Sequence, residues 1–146
     1  MSSQRILYVE DNAHFRWMVT EILKFELYEV YSAADGVKGF DLALRINPHF
    51  ILMDVHLPGM SGIEITARLR ALPEFRAVPI IALTAGGEFE ADCDKYLKAG
   101  FNGCLFKPFT APQLVDTVRH YIGLAEKQVS AIVTPLSQGQ PENNFL

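Results

Sequence analysis

The sequence predicts an α/β fold built on a doubly wound parallel sheet. Short apolar runs that lack a helical period alternate with segments whose apolar residues recur every three or four positions. Some of the short runs stop abruptly at a carboxylate, as buried strands do when they reach the edge of a parallel sheet. Parallel strands need right-handed crossovers, which place helices on both faces of the sheet.

The first half of the chain contains three predicted strands, at residues 6–9, 29–33 and 50–53. The first strand is wholly apolar, and Asn12 can cap the helix that follows, whose apolar residues fall on one face. The second strand turns at Asp35 into another helix, which Pro48 ends because the residue before a proline avoids helical geometry. The third strand stops at Asp54.

The second half continues the same alternation. A loop at residues 57–62 leads into a helix at about residues 63–72, and the fourth predicted strand covers residues 79–83. A helix at residues 89–99 follows, and Gly100 closes it. The fifth strand is residues 104–106. Thr110 and Gln113 then have the spacing of a capping box at the start of the last helix.

One domain accounts for most of the chain. A length of 146 residues suits a single core. Hydrophobic residues make up 49% and charged residues 21%, which argues against a disordered or fibrous protein. From about Glu126 onward the apolar pattern fades into sequence rich in Ser, Gln, Pro and Asn, a composition typical of linkers and loose tails. We therefore predict a domain at residues 4–124 and a flexible tail or linker at residues 125–146.

Composition excludes several classes of function. A net charge of −4 argues against direct nucleic-acid binding, which needs clustered Lys and Arg. No apolar run approaches the roughly 18 residues needed to cross a bilayer, and the N-terminus lacks a signal-peptide pattern, so we expect a cytoplasmic protein with no membrane contact. Cys93 and Cys104 have neither CxxC spacing nor a Cys/His set around them. We predict that both are reduced, structural thiols.

Polar residues follow four of the five strands, and we name these five residues the polar rim. They are Glu10, Asp11, Asp54, Thr84 and Lys107. Ligands of open parallel sheets bind beyond the carboxyl ends of the strands, where these residues should meet. Crowded carboxylates repel one another unless a cation joins them, and oxygen ligands alone favour Mg²⁺ over zinc. Each residue alone is an ordinary strand-end residue, but together they predict a site for Mg²⁺ and a phosphoryl group.

Four blocks of this sequence resemble the response-regulator receiver domains of two-component signalling. The blocks are ILYVEDN at residues 6–12, ILMDVHLPGMSG at residues 51–62, IIALTA at residues 80–85, and Ala99-Gly100 followed by FKPF at residues 106–109. The resemblance covers about residues 5–124. It implies a flavodoxin-like sheet with strand order 2-1-3-4-5.

The resemblance also implies a role for each residue of the rim. Asp54 would be the phosphoacceptor, Asp11 a direct Mg²⁺ ligand, Glu10 a ligand through water, and the His56 main-chain carbonyl a further ligand. Thr84 and Lys107 would contact the phosphoryl oxygens, and the Lys107-Pro108 peptide bond would be cis. Such a domain modifies itself and is not an enzyme.

The partners that the resemblance implies are a histidine kinase or a histidine phosphotransfer protein as donor. A downstream protein would bind the face made by the fourth helix, the fifth strand and the fifth helix, and a homodimer is left open.

Three positions depart from the usual pattern of the family. Glu10 stands where many receivers have Asp, and its longer side chain still reaches a metal-bound water. Ser61 stands where Asp is common. Cys104 occupies the position of an aromatic residue that acts with Thr84 as the switch in many receivers. A small side chain cannot gate that space as a ring does, so we expect a weak switch or a phosphate carrier.

Three other functions compete with the receiver hypothesis. A Mg²⁺-dependent phosphohydrolase would use Asp54 as nucleophile, but it needs an acid where His56 stands. An interaction module that is not phosphorylated would not require the rim to be intact. A flavin-binding module would need a phosphate loop after strand one, where Glu10 and Asp11 would repel phosphate.

Overall fold

The protein, described here by a computed structural model, is a parallel sheet with helices on both faces. The structure describes residues 3–85 and 90–138. Its strands are β1 (Arg5–Val9), β2 (Glu29–Ala33), β3 (Phe50–Asp54), β4 (Ile80–Thr84) and β5 (Gly103–Phe106). Its helices are α1 (Ala13–Phe25), α2 (Gly36–Ile46), α3 (Gly62–Arg70), α4 (Glu90–Lys98) and α5 (Ala111–Gln138). The strand order is β2-β1-β3-β4-β5 with every pair parallel, so the predicted fold class is confirmed.

Two apolar layers cover the two faces of the sheet, because side chains alternate along each strand. Leu7, Ile51 and Met53 point to one face and pack in a cluster that includes Ile65 of α3 and Tyr96 of α4. The opposite face is covered by α1 and α5. Its cluster contains Ile6, Tyr8, Leu52, Val19, Leu23, Leu114 and Val118. The central strands are buried on both faces, which explains why they are continuous apolar runs in the sequence.

Side chains cap the helices that begin beside the polar rim. Asn12 accepts a hydrogen bond from the Phe15 amide at 2.8 Å and starts α1. Thr110 and Gln113 bond reciprocally at the start of α5, as the capping-box spacing predicted. Ser61 forms a second capping box at the start of α3. Ser61, which stands where Asp is common in the family that the sequence resembles, therefore serves as a helix cap.

Arg70 joins three segments at the edge of the sheet opposite the rim. Its guanidinium donates to the carbonyl oxygens of Phe75, Val78 and Gly100, at 2.6 to 2.8 Å. It also donates to the Asn102 side chain at 2.7 Å. Arg70 thus ties the end of α3 to the segments that enter β4 and β5.

The last helix is longer than the apolar pattern indicated. It continues past Leu124 to Gln138, whereas the sequence analysis placed a flexible segment from residue 125. Ala125, Glu126 and Lys127 all favour helix, and the apolar residues Val129, Ile132, Val133 and Leu136 follow at helical spacing, so the sequence can extend α5. Residues 139–146 lie outside the described residues, and the division into domain and tail stays a prediction. No helix within residues 3–85 and 90–138 is both long and apolar enough to span a membrane.

Candidate functional site

The strand order brings the polar rim together at the carboxyl edge of the sheet. β1 and β4 are the two neighbours of β3, so Glu10 and Thr84 flank Asp54. All three are buried, with 1%, 2% and 4% of Glu10, Thr84 and Asp54 exposed. Two buried carboxylates side by side are costly unless a cation pairs with them.

Lys107 supplies that cation from the end of β5. Its ammonium donates to the Glu10 carboxylate at 2.9 Å and to the Asp54 carboxylate at 3.2 Å. The same ammonium lies 4.7 Å from the centroid of the Phe15 ring, which is a cation–π contact. The Lys107-Pro108 peptide bond is cis, as the family resemblance implied. One ammonium is therefore shared between two carboxylates that follow different strands.

Tyr8 and Asn12 complete the surroundings of Glu10. The Tyr8 hydroxyl donates to Glu10 at 3.1 Å, and the Asn12 amide donates to its other oxygen at 3.2 Å. Burial, followed by the charge of Glu10, raises the pKa of Tyr8 above its ordinary range, so this phenol stays protonated and remains a donor. The sequence analysis did not predict roles for Tyr8 or Phe15. Tyr8 lies two residues before Glu10, and strand alternation could have indicated the contact.

The loop after β3 holds the Asp54 side chain in place. The His56 amide donates to one Asp54 carboxylate oxygen at 2.9 Å, while Lys107 binds the other. α3 begins directly against this loop, because a Cβ atom on Gly62 would lie 2.3 Å from the Asp54 carbonyl oxygen and 2.9 Å from the Val55 Cα atom. Only glycine fits there. The orientation of Asp54 therefore depends on close backbone packing as well as on its donors.

Glu10, Asp11 and Asp54 form a group that fits a divalent cation. One carboxylate oxygen from each lies within 4.8 Å of the others. Asp11 is exposed, so the group is open to solvent on one side. The donors are all hard oxygens, and their three negative charges exceed the single charge of Lys107, which suits Mg²⁺. The predicted acidic cluster is present in the fold.

Thr84 and His56 lie at the rim, as predicted from the sequence, and their roles at the site remain predictions. Thr84 ends β4, and its carbonyl accepts a hydrogen bond from the Lys107 amide at 2.8 Å. The His56 side chain is exposed, and its main-chain carbonyl as a metal ligand stays a prediction.

The cysteines correct one prediction from the sequence. Cys93 of α4 and Cys104 of β5 form a disulfide, with their Cα atoms 5.7 Å apart. The prediction of two reduced thiols was therefore wrong. It relied on the absence of CxxC spacing, but the turn between α4 and β5 brings together residues 11 positions apart in the chain. Cys104 is thus not the free, small side chain that the predicted weak switch assumed.

The sheet order places the domain in the flavodoxin-like class of α/β folds, and the acidic rim at its carboxyl edge fits a divalent cation. Residues 6–119 match the response regulator receiver domain, and the chain belongs to this family. Receiver domains are signalling modules of two-component systems.

Individual relatives agree with this assignment. The polar-differentiation response regulator DivK of Brucella ovis is 31% identical over 121 residues, which cover 83% of this chain and 98% of DivK. The receiver domain of the sensor histidine kinase PA1611 from Pseudomonas aeruginosa is 38% identical, with a TM-score of 0.76 and coverage of 84% of this chain and 99% of that one. Its crystal structure has a magnesium ion coordinated in the active-site cleft.

The similarity extends to regulators of other kinds. The chemotaxis response regulator CheY4 of Vibrio cholerae is 29% identical, with a TM-score of 0.78 and coverage of 82% of this chain and 99% of CheY4. A putative response regulator from Chloroflexus aurantiacus is 30% identical, with a TM-score of 0.79 and coverage of 84% and 99%. The resemblance seen in the four sequence blocks is confirmed.

Proposed function

We propose that this chain is a phosphoacceptor in a two-component phosphorelay. Asp54 takes a phosphoryl group from a histidine kinase or a histidine phosphotransfer protein, with Mg²⁺, and the domain switches or relays the signal to a partner. The observation that carries the proposal is the buried Asp54 carboxylate, which shares the Lys107 ammonium with Glu10.

The transfer is a displacement at phosphorus. A carboxylate oxygen of Asp54 attacks, the bond from phosphorus to the donor imidazole breaks, and the imidazole nitrogen keeps the electron pair. The product is an acyl phosphate on Asp54. The His56 amide and Lys107 orient the carboxylate, and the Lys107 ammonium lies 3.2 Å from it, where it can stabilise charge on the transferred oxygens. We assign the Thr84 hydroxyl to the same oxygens.

The residues that would hold Mg²⁺ are Glu10, Asp11, Asp54 and the His56 main-chain carbonyl. When bound, the metal neutralises negative charge on the carboxylates and on the phosphoryl oxygens. The close approach of the three carboxylates supports this assignment. Asp11 is its exposed member, which suits entry of a hydrated ion from solvent.

The domain is proposed to act as a signalling module and not as an enzyme on a separate substrate. Its product would be its own modified Asp54, and the family's role in signalling supports this reading. We place it in the cytoplasm. We assign the surface of α4, β5 and α5 to a downstream protein or a second copy of the chain, without direct contact to nucleic acid or membrane.

Labelling with a small phosphodonor tests the proposal. Acetyl phosphate and Mg²⁺ should add one phosphoryl group to the wild type, seen by intact-protein mass spectrometry. Asp54→Asn should reduce the labelling rate by about 100-fold or more, because the nucleophile is gone. EDTA should have a comparable effect on the wild type.

Asp41→Asn is the matched control, since Asp41 is an exposed carboxylate on α2 paired only with Arg45 among the described ion pairs. It should label like the wild type. Undiminished labelling of Asp54→Asn, or labelling indifferent to EDTA, would contradict the acceptor or the metal. Steady release of phosphate from small phosphate esters would instead favour the phosphohydrolase.

A further inference from the structure

The Cys93–Cys104 disulfide connects helix α4 with strand β5, the two elements that lie between Thr84 and Lys107 in the chain. Cys104 pairs with Ala82 in the β4–β5 register, and Thr84 pairs with Phe106, two residues closer to the rim. Lys107 follows Phe106 directly, and α4 is the next helix after Thr84. The disulfide therefore joins the helix that follows Thr84 to the strand that precedes Lys107.

The bond is open to reagents at the surface. Both cysteines are only half-buried. A surface cleft borders Cys104, and its lining also includes Phe106 of β5, Pro108 of the following loop and Gln113 of α5. A structural disulfide in a core would be shielded by its neighbours, whereas a partly exposed one can meet a thiolate.

We propose that Cys93 and Cys104 form a reversible thiol–disulfide site, which takes a dithiol as co-substrate and sets how far the α4–β5 edge responds to phosphorylation. By the α4–β5 edge we mean helix α4 and strand β5. The exchange site stands on the disulfide itself, while its effect on signalling rests on the proposed phosphoacceptor function. Disulfides in the cytosol are usually transient or redox-sensing, which fits the compartment proposed above.

Reduction of the bond takes two thiol–disulfide exchange steps. One thiolate of the dithiol attacks the Cys104 sulfur, and the bond to Cys93 breaks, with Cys93 leaving as a thiolate. The second thiolate of the dithiol then attacks the first dithiol sulfur, which is bonded to Cys104 in the mixed disulfide, and Cys104 is released as a thiolate. The dithiol loses two electrons and two protons and becomes a cyclic disulfide, and both cysteines gain a proton.

The physical effect of the bond is a constraint on relative motion. Cys93 lies in the first turns of α4, and Tyr96 on the same helix is anchored in the core. With the bond closed, α4 and β5 cannot separate or slide at this point. With the bond open, only non-covalent packing holds them, so the same phosphoryl group can produce a larger rearrangement.

The first experiment tests the exchange site without reference to phosphorylation. The full chain is equilibrated in mixtures of reduced and oxidised dithiothreitol, then denatured and alkylated, and the added alkyl groups are counted by mass spectrometry. We expect a single two-electron transition from no alkylated cysteine to two. Reduction that requires prior unfolding, or two alkylated cysteines in every mixture, would overturn the site.

The second experiment tests the coupling. Amide NMR shifts induced by beryllofluoride and Mg²⁺ are compared between oxidised and reduced protein. Rim amides such as Asp54 and His56 should shift equally in both forms. Amides of α4 and β5 should shift more in the reduced form, by about twofold or more. Cys93→Ser, which keeps Cys104 in place, should behave as the reduced protein even under oxidant.

The outcomes separate the two proposals. Equal α4–β5 shifts in the oxidised and reduced forms would overturn the redox coupling while the receiver function stands. Rim amides that ignore beryllofluoride in both forms would overturn the phosphoacceptor function, and the regulatory effect with it. The dithiothreitol titration would still decide the exchange site.

Discussion

The polar rim and the α4–β5 edge are held together by different kinds of interaction. At the rim, Glu10 and Asp54 are almost fully buried and share one ammonium, so their positions follow from strand ends and charge pairing. At the edge, the side chains of β5 after Gly103 are half-exposed, and a disulfide joins the strand to α4. The proposed chemistry at the rim and the proposed response at the edge should therefore depend on different residues. Four substitutions at or beside the rim, with their controls, test this expectation.

Gly62→Ala should have the largest effect, and it should act on the rim alone. The new Cβ would collide with backbone atoms of Asp54 and Val55, which cannot move aside as a flexible side chain would. We expect the free energy of unfolding to fall by about 3 kcal/mol, measured by urea denaturation. Labelling by acetyl phosphate should slow as well, because Asp54 shifts.

Gly59→Ala is the matched control in the same loop. Gly59 has a positive φ of 75° but open space around its Cβ position. Only the backbone preference is lost, so the expected cost is about 1 kcal/mol. Equal losses in the two variants would show that close packing at Gly62 is not what fixes Asp54.

Lys107→Ala should weaken both the rim and its link to the edge. Without the ammonium, Glu10 and Asp54 are adjacent buried carboxylates, and we expect a loss of about 2 kcal/mol in the absence of Mg²⁺. This is less than for a fully buried pair because Lys107 is 21% exposed. Mg²⁺ should recover much of the loss, while beryllofluoride shifts in α4 and β5 stay small.

Lys38→Ala controls for the removal of a lysine, since Lys38 is 74% exposed and only 4.0 Å from Asp35. Its stability should stay within about 0.5 kcal/mol of the wild type. A full set of wild-type shifts in Lys107→Ala would mean that Lys107 does not transmit the signal.

Tyr8→Phe should have a smaller effect that depends on pH. At neutral pH the lost hydrogen bond to Glu10 should cost about 1 kcal/mol. Because the folded pKa of Tyr8 is raised, its contribution to stability is complete below about pH 10, where the unfolded phenol is neutral, and declines above that pH. Urea denaturation should show wild-type stability falling more steeply above pH 10 than that of the variant, by up to about 1.4 kcal/mol per pH unit. Parallel pH profiles would contradict the raised pKa.

Ser61→Ala should have the smallest effect and should leave both regions working. It removes the capping box with Glu64, at an expected cost of about 1 kcal/mol in thermal or urea unfolding. Ser61→Asp should keep the cap and the stability. A change in labelling rate with Ser61→Ala, despite an intact fold, would mean that this loop position acts on Asp54 directly.

The sequence predicted the rim better than it predicted the edge. The strands were located within about a residue of their observed bounds, with residues 29–33 matching β2 and residues 79–83 offset by one from β4. Once the strands are placed, parallel pairing alone brings Glu10, Asp11 and Asp54 together.

The edge could not be predicted in the same way. The disulfide depends on how α4 packs against β5, and a helix that turns back on a strand leaves no fixed spacing in the sequence. The Phe15 ring beneath Lys107 likewise joins residues from opposite ends of the domain. The length of α5 was missed although Val129, Ile132, Val133 and Leu136 recur at helical spacing, because Ser130 and Pro135 interrupt the pattern.

Arg70 fixes the carboxyl-terminal end of α4. The guanidinium clamps the Gly100 carbonyl and the Asn102 side chain, just beyond the carboxyl end of the helix. Because that end is fixed, a rotation of α4 displaces its residues more the closer they lie to Glu90. The disulfide at Cys93 holds the helix near its amino end, where a single bond restricts such a rotation most. With the disulfide closed, α4 is held near both ends. With the disulfide reduced, α4 is held near Gly100 and can rotate about that end.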